Sequence, residues 1–182
     1  MSDTERFMRC PEPRTLIQVE KHASTVVVEK GDFVLIYKGK AITPSVLGTV
    51  YTTATKARRE GAMLFGGIAR NASASGDTNK IQVDIGLEAI FKLTQCAAGA
   101  ASVADLFGIC AVSNASNLWG LEDQKVQADC SYPIAVLIEE KAATGTDLFC
   151  KLVPQKLFNP VHSYTICYGV NDKTFVNLSY AG

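Results

Sequence analysis

GIARNASASGDTNKIQVDIGLEAIFKL, Gly67 to Leu93, is the stretch on which the fold turns. Ile81, Val83 and Ile85 alternate with Gln82 and Asp84, the period of a strand with one buried face. Ser75-Gly76-Asp77-Thr78 before them supplies turn chemistry, so MLFGGIAR, from Met63 to Arg70, and Ile81–Ile85 read as two strands of one hairpin. Gly86 interrupts, and then Leu87, Ala89, Phe91 and Leu93 alternate with Glu88 and Lys92. A glycine between two alternating runs marks a bulge or a sharp bend, as at a barrel corner.

The same grammar extends in both directions. Upstream, STVVVE and FVLIYK are β-branched and aromatic runs separated by Lys30-Gly31-Asp32, a turn. TTATKARREGAML is the helix candidate, with Thr52 or Thr53 as cap and Gly61 as stop. Downstream, LFGICAVS, KVQADCS, YPIAVLIEE and DLFCKLV read as further strands, and NASNLWG as a turn leading to Trp119. An internal echo joins GIARNASASGDTNKIQVDI to PIAVLIEEKAATGTDLFCKLV. Each is an Ile-Ala strand, a small-residue turn and a second strand. Repeated hairpins of one design predict a mainly β chain, an antiparallel barrel or sandwich with one short helix.

The ends read differently. Pro11 and Pro13 keep residues 10–14 from being helical, so residues 1–23 read as an N-terminal arm. The core is expected over 24–153. Residues 154–182 read as a C-terminal extension, in which SYTICYG and TFVNLSY are short strands. Within the arm, Arg6, Phe7, Met8, Arg9, Arg14 and Leu16 form a mixed basic and apolar strip suited to lying along another protein's surface.

Totals narrow the function classes. With 182 residues, 47% hydrophobic and 20% charged, the chain has the composition of a globular protein. Lys+Arg and Asp+Glu are 18 each, so nothing in the overall charge attracts nucleic acid or anionic lipid, and neither partner is expected. The opening MSDTERFMRC is polar where an export signal is apolar, and the longest apolar runs fall far short of the ~20 residues that span a bilayer. Cys10, Cys96, Cys110, Cys130, Cys150 and Cys167 include no CxxC, and in a chain read as made in the cytoplasm they are expected as reduced, packed thiols.

Chemistry-bearing candidates are few. Cys10 with His22, or Cys167 with His162, would make a nucleophile pair, but no GxSxG elbow or third orienting group accompanies them. Asp77, Asp84, Glu88 and Asp105 lack calcium-loop spacing. Lys56, Arg58 and Arg59 have no interleaved aromatics and read as a solvated helix face. No catalytic residue, metal or cofactor is expected. Trp119, Tyr164, Tyr168 and Tyr180 are read first as interface packing and second as a stacking platform for carbohydrate.

The ordered segments EKGDFVLI…GKAI, FGGIARNASASGDTNKIQVDIGLEAIFKL, ADLFGICAVS…WGLEDQKVQAD and YPIAVLIEEKAATGTDLFCKLV resemble the head-decoration, or capsid cement, proteins of tailed bacteriophages. The likeness runs over roughly residues 29–153 and rests on a Gly-Asp strand start, a GIA…SGD strand-turn-strand, an LFG segment and a closing Ile-Ala hairpin. It implies a β-tulip-like body made in the host cytoplasm. It also implies a homotrimer on the outer surface of the virion, bound to the major capsid protein. A tail or adaptor component, a surface carbohydrate-binding module, and a small cysteine hydrolase using Cys167 and His162 are the alternatives.

Overall fold

In the computed structural model, residues 7–9, 16–86, 89–96, 106–138 and 147–153 are described. The opening hairpin forms as its alternation requires: β5 is Phe65–Ala69 and β6 is Ile81–Asp84, paired antiparallel with Ala69 opposite Val83. Its connection is held by side chains. Asn71 accepts the Gln82 N–H (2.6 Å) and donates to the Lys80 carbonyl (3.1 Å), while Asp77 accepts the Ala74 N–H (2.9 Å). Ile81 and Val83 are buried and Gln82 faces water.

The remaining strands are β1 (Phe7–Arg9), β2 (Leu16–Val19), β3 (Phe33–Tyr37), β4 (Lys40–Ile42), β7 (Ile90–Gln95), β8 (Leu106–Ser113), β9 (Trp119–Ala128), β10 (Ala135–Leu137) and β11 (Asp147–Leu152). They sort into two sheets, one in the order β2-β6-β5-β3-β4 and the other in the order β1-β7-β11-β10-β8-β9. The described residues are mainly β with one short α-helix.

Both sheets close on themselves, and in the same way. In the first, Lys21 just past β2 pairs parallel with Ala41 of β4, through His22 N–H to Ala41 O (2.9 Å) and Ala41 N–H to Glu20 O (2.7 Å). In the second, β7 pairs parallel with β9, Gln95 opposite Val126, and the Cys96 N–H donates to Val126 O (2.8 Å). Numbering the five strands of each ring by sequence, the order around both is first, fifth, fourth, second, third and back to first. All neighbours are antiparallel except the closing pair. The chain is thus two tandem rings of one topology, over residues 16–85 and 90–152.

The pairings fix which residues correspond. Ile36 pairs with Ala41 as Ile109 pairs with Val126, and Ile17 pairs with Val83 as Phe91 pairs with Cys150. Lys21 and Gln95, equivalent at the closing point, are both buried polar residues. Lys21 is satisfied by three carbonyls, those of Ala74 (2.8 Å), Val26 (2.9 Å) and Ser24 (3.3 Å). The two hairpins of the sequence echo, β5–β6 and β10–β11, occupy the same place in their rings. Another equivalence carries different chemistry: His22 stacks on Tyr37 with ring centroids 5.3 Å apart, whereas Cys96 and Cys110 at the matching positions form a disulfide.

Helix α1 (Ala54–Leu64) belongs to the first ring's connection from β4 to β5, which also holds a 3-10 turn at Pro44–Leu47. Thr53 caps it by accepting the Lys56 N–H (3.2 Å). Gly61, expected as its stop, lies inside it. A Cβ there would come within 2.7 Å of Leu121 Cδ1 and 3.1 Å of Ile109 Cδ1, so the glycine lets the helix lie close on the second ring. The helix continues to Leu64, and the strand expected from Met63 begins at Phe65.

Two further expectations change. Residues 16–22, read as part of an arm, form β2 and its closing pair, because Ile17 and Val19 alternate into the first ring's core. Cys96 and Cys110, expected as thiols, are bonded. Cys150 is a buried thiol, pushed up to about 12 by burial, and Cys130 is an exposed one. Buried side chains of both rings make one contiguous cluster, led by Phe33, Phe65, Phe91 and Phe107. Each such side chain contributes about 1.5–3 kcal/mol on burial.

Candidate functional site

The residues singled out in the sequence fall at three places. Phe7, Met8 and Arg9 are β1, which pairs antiparallel with β7, Phe7 opposite Phe91 and Arg9 opposite Ile90. Leu16 opens β2 and is 48% exposed. Trp119 opens β9, where its N–H donates to Tyr51 O (2.7 Å) and its carbonyl accepts the Tyr51 N–H (3.1 Å). These bonds tie the two rings together, and the half-buried Trp119 packs against the core at the seam. Arg6, Arg14, Cys10, Tyr164, Tyr168, Tyr180, His162 and Cys167 lie outside the described residues, as do Glu88 and Asp105. The helix cations, read as a solvated face, are so only at Lys56: Arg58 is largely buried against the buried Asp129 (3.3 Å), and the partly buried Arg59 reaches Glu60 (3.9 Å).

Trp119 sits in an exposed apolar end. The segment 46–51 runs beside the start of β9, so close that a Cβ at Gly120 would meet Thr49 Oγ1 at 2.9 Å. Val46, Val50 and Val112, the last opposite Gly120 on β8, are 47%, 63% and 38% exposed there. Nothing in PSVLGTVY alternates, so this patch has no periodic signal in the sequence; it arises because a turn with valines is laid along a strand end. Exposed apolar side chains mark a protein contact where they form a contiguous patch.

Carboxylates gather along the seam a little further in. Asp32, between β2 and β3, accepts the Glu29 N–H (2.7 Å) and the Gln124 side-chain amide from β9 (2.7 Å). Asp123, next along β9, accepts the Ser45 N–H (2.7 Å) from the first ring. Burial pushes the Asp32 carboxyl up to about 6 against those donors, with Asp123 and Glu29 adding repulsion. Asp123 is raised for the same reasons, by burial first and by Glu122 and Glu29 after it. These acids bind main chain and amide groups across the seam. Among the described residues no three His, Cys, Asp or Glu side chains are placed to share a metal ion.

A hollow of about 290 Å³ lies between Glu20, Lys21, Ser24, Asp77, Thr78 and Lys80. Its buried cation, Lys21, spends its donors on the three carbonyls that hold the neighbouring loops together. No helix among the described residues is long and apolar enough to cross a membrane. Comparison with family models, curated proteins and solved structures finds no match.

Proposed function

We propose that this chain is a structural subunit that decorates a larger protein shell. In this reading it binds the outside of a major capsid protein lattice as a homotrimer and stabilises the head, as the cement proteins it resembles do. The observation that carries the reading is the exposure of Val46, Val50 and Val112 where the segment 46–51 runs beside the start of β9, on a two-ring body with one contiguous core. An apolar contact of modest size suits a lattice protein, because a symmetric oligomer engages several copies at once and gains avidity from weak patches. The segments behind the resemblance also fall on ring strands: Gly31-Asp32 precedes β3, Gly67–Ile85 is the β5–β6 hairpin, Leu106-Phe107-Gly108 starts β8 and Pro133–Leu152 spans β10 and β11. The Cys96–Cys110 bridge suits a working place outside a reducing cytoplasm, such as the surface of a released particle.

The test is co-sedimentation of purified protein with undecorated shells. Wild type pellets with the shells, and Val50→Asp weakens pelleting at least tenfold while the circular dichroism spectrum stays that of wild type. A chain starting at residue 16, which removes Arg6, Phe7, Met8, Arg9 and Arg14, keeps both ring closures and reads the contribution of the N-terminal strip separately. Wild-type protein that never pellets with any shell ends the proposal.

A further inference from the structure

Because the two rings share strand order and register, every edge in one has a counterpart in the other, and one counterpart is differently occupied. In the second ring the Cys96 N–H faces β9, so alternation turns the backbone groups of residues 90, 92 and 94 to that same side. The β7–β9 pairing covers Thr94 and Gln95 only; beside Ile90 and Phe91, β1 takes over as an added antiparallel strand. In the first ring the Glu20 carbonyl and His22 N–H face β4, so the N–H and C=O groups of Leu16 and Gln18 face that side too. There β4 stops short. Lys38 (φ 50°) and Gly39 (φ 77°) turn the β3–β4 hairpin, and β4 begins only at Lys40. Among the described residues no strand runs along that side of β2, where Leu16 and Gln18 are both exposed.

We propose that this edge of β2 accepts residues 174–180 of a second copy as an added strand. The second ring shows that the topology takes an extended terminal segment at this position. Thr174-Phe-Val-Asn-Leu-Ser-Tyr180 is free of charge and proline and rich in β-formers, with Thr174, Val176, Leu178 and Tyr180 on one face and Phe175, Asn177 and Ser179 on the other. The chain beyond Val153 reaches roughly 70 Å by Thr174 when extended, against ~40 Å across a domain of this size, so a neighbour is within range. Main-chain bonds give such an added strand its affinity, and side-chain alternation gives it register. Donor and acceptor are different surfaces, so the contact closes by reciprocal exchange between two copies or as a larger ring. It rests on the self-association in the function proposed above and does not need the shell.

The test uses Gln18→Pro in the full chain. The residue 18 N–H faces the open edge and makes no ladder bond to β6, so proline removes one donor from the acceptor and leaves the β2–β6 pairing. Light scattering after size exclusion gives an oligomer for wild type and monomer mass for both Gln18→Pro and a chain ending at residue 173. If Gln18→Pro does not fold, the shortened chain is given a synthetic peptide of residues 174–180, which slows amide exchange at Leu16 and Gln18 at least tenfold. A monomeric wild type, a Gln18→Pro oligomer equal to wild type, or unchanged exchange overturns the proposal. A monomer that still pellets with shells overturns this inference and leaves the decoration role standing.

Discussion

At the scale of single residues, Asp32 shows how burial changes the meaning of a letter. In the sequence it belongs to a turn, Lys30-Gly31-Asp32, and a turn aspartate normally faces water. Here it is 4% exposed, and its carboxyl rises from the ordinary 3.8 to about 6. The folded protein therefore holds the proton more tightly than the unfolded chain, and folding is favoured by acid at this site. That stability is fully present below about pH 4 and is lost as pH rises through about 6, a difference worth ~3 kcal/mol. Asp32→Asn removes the dependence. Urea titrations between pH 4 and 8 show the variant gaining on wild type as pH rises, and parallel curves refute the assignment. Glycines divide in a similar way. Gly67 (φ 147°) sits at the bulge between β3 and β5, where a Cβ would lie 2.3 Å from the Asp84 carbonyl oxygen, while Gly76 (φ 93°) has open space around it. Gly67→Ala loses about 3 kcal/mol from clash and strain, Gly76→Ala only about 1 kcal/mol from its backbone angle. Thermal melts rank the two, and equal losses exclude the close approach. Neither difference is legible in the sequence, since each depends on a strand that is distant along the chain.

At the scale of elements, alternation was a good guide and ring closure was hidden from it. The β5–β6 hairpin, β8 and β11 stand where their patterns and turn residues put them, and Gly86 lies between the two rings, its N–H donating to Asp84 Oδ1 (3.1 Å) and its carbonyl accepting the Ala89 N–H (3.1 Å). The closing pairs leave no pattern, because Lys21 with Ala41 and Gln95 with Val126 join polar to apolar residues through backbone bonds. Gly61 misled for a definite reason: glycine ends helices by its freedom at positive φ, but here it serves by having no side chain. The cysteines carry the clearest test of element-scale physics. Cys96 and Cys110 are 14 residues apart, and linking them restricts the unfolded chain by about 3 kcal/mol in the loop-entropy account. The stacked His22 and Tyr37 at the matching place contribute only ~0.5–1.5 kcal/mol. Replacing both cysteines by alanine therefore lowers urea stability by more than His22→Ala does, and by as much as adding a dithiol reductant to wild type. A reductant without effect on the wild-type midpoint would remove the bridge from the stability account.

At the scale of the whole molecule, duplication explains both what the sequence echo captured and what it missed. Equivalent residues are not evenly spaced: Ala41 corresponds to Val126, but Val83 corresponds to Cys150, because the helix-bearing connection of the first ring has only a short turn as its counterpart. Only the β5–β6 and β10–β11 hairpins kept enough local likeness to be read as copies. Two rings of one design could unfold separately, yet the seam argues against it. Tyr51 and Trp119 exchange two main-chain bonds across it, Asp32 and Gln124 add a third contact, Asp123 and Ser45 a fourth, and Gly61 seats the first ring's helix on Leu121 and Ile109 of the second. With the buried side chains in one cluster, opening the seam exposes apolar surface on both sides and leaves buried carboxylates without their donors. The chain should therefore unfold as one unit. Trp119, the chain's single tryptophan, stands at the seam, so its fluorescence reports separation while far-ultraviolet circular dichroism reports the strands. The two signals give coincident urea transitions at pH 5. Fluorescence moving ahead of dichroism would show rings that part before they unfold, and the single cooperative body on which the proposed lattice contact at Val46, Val50 and Val112 depends would have to be given up.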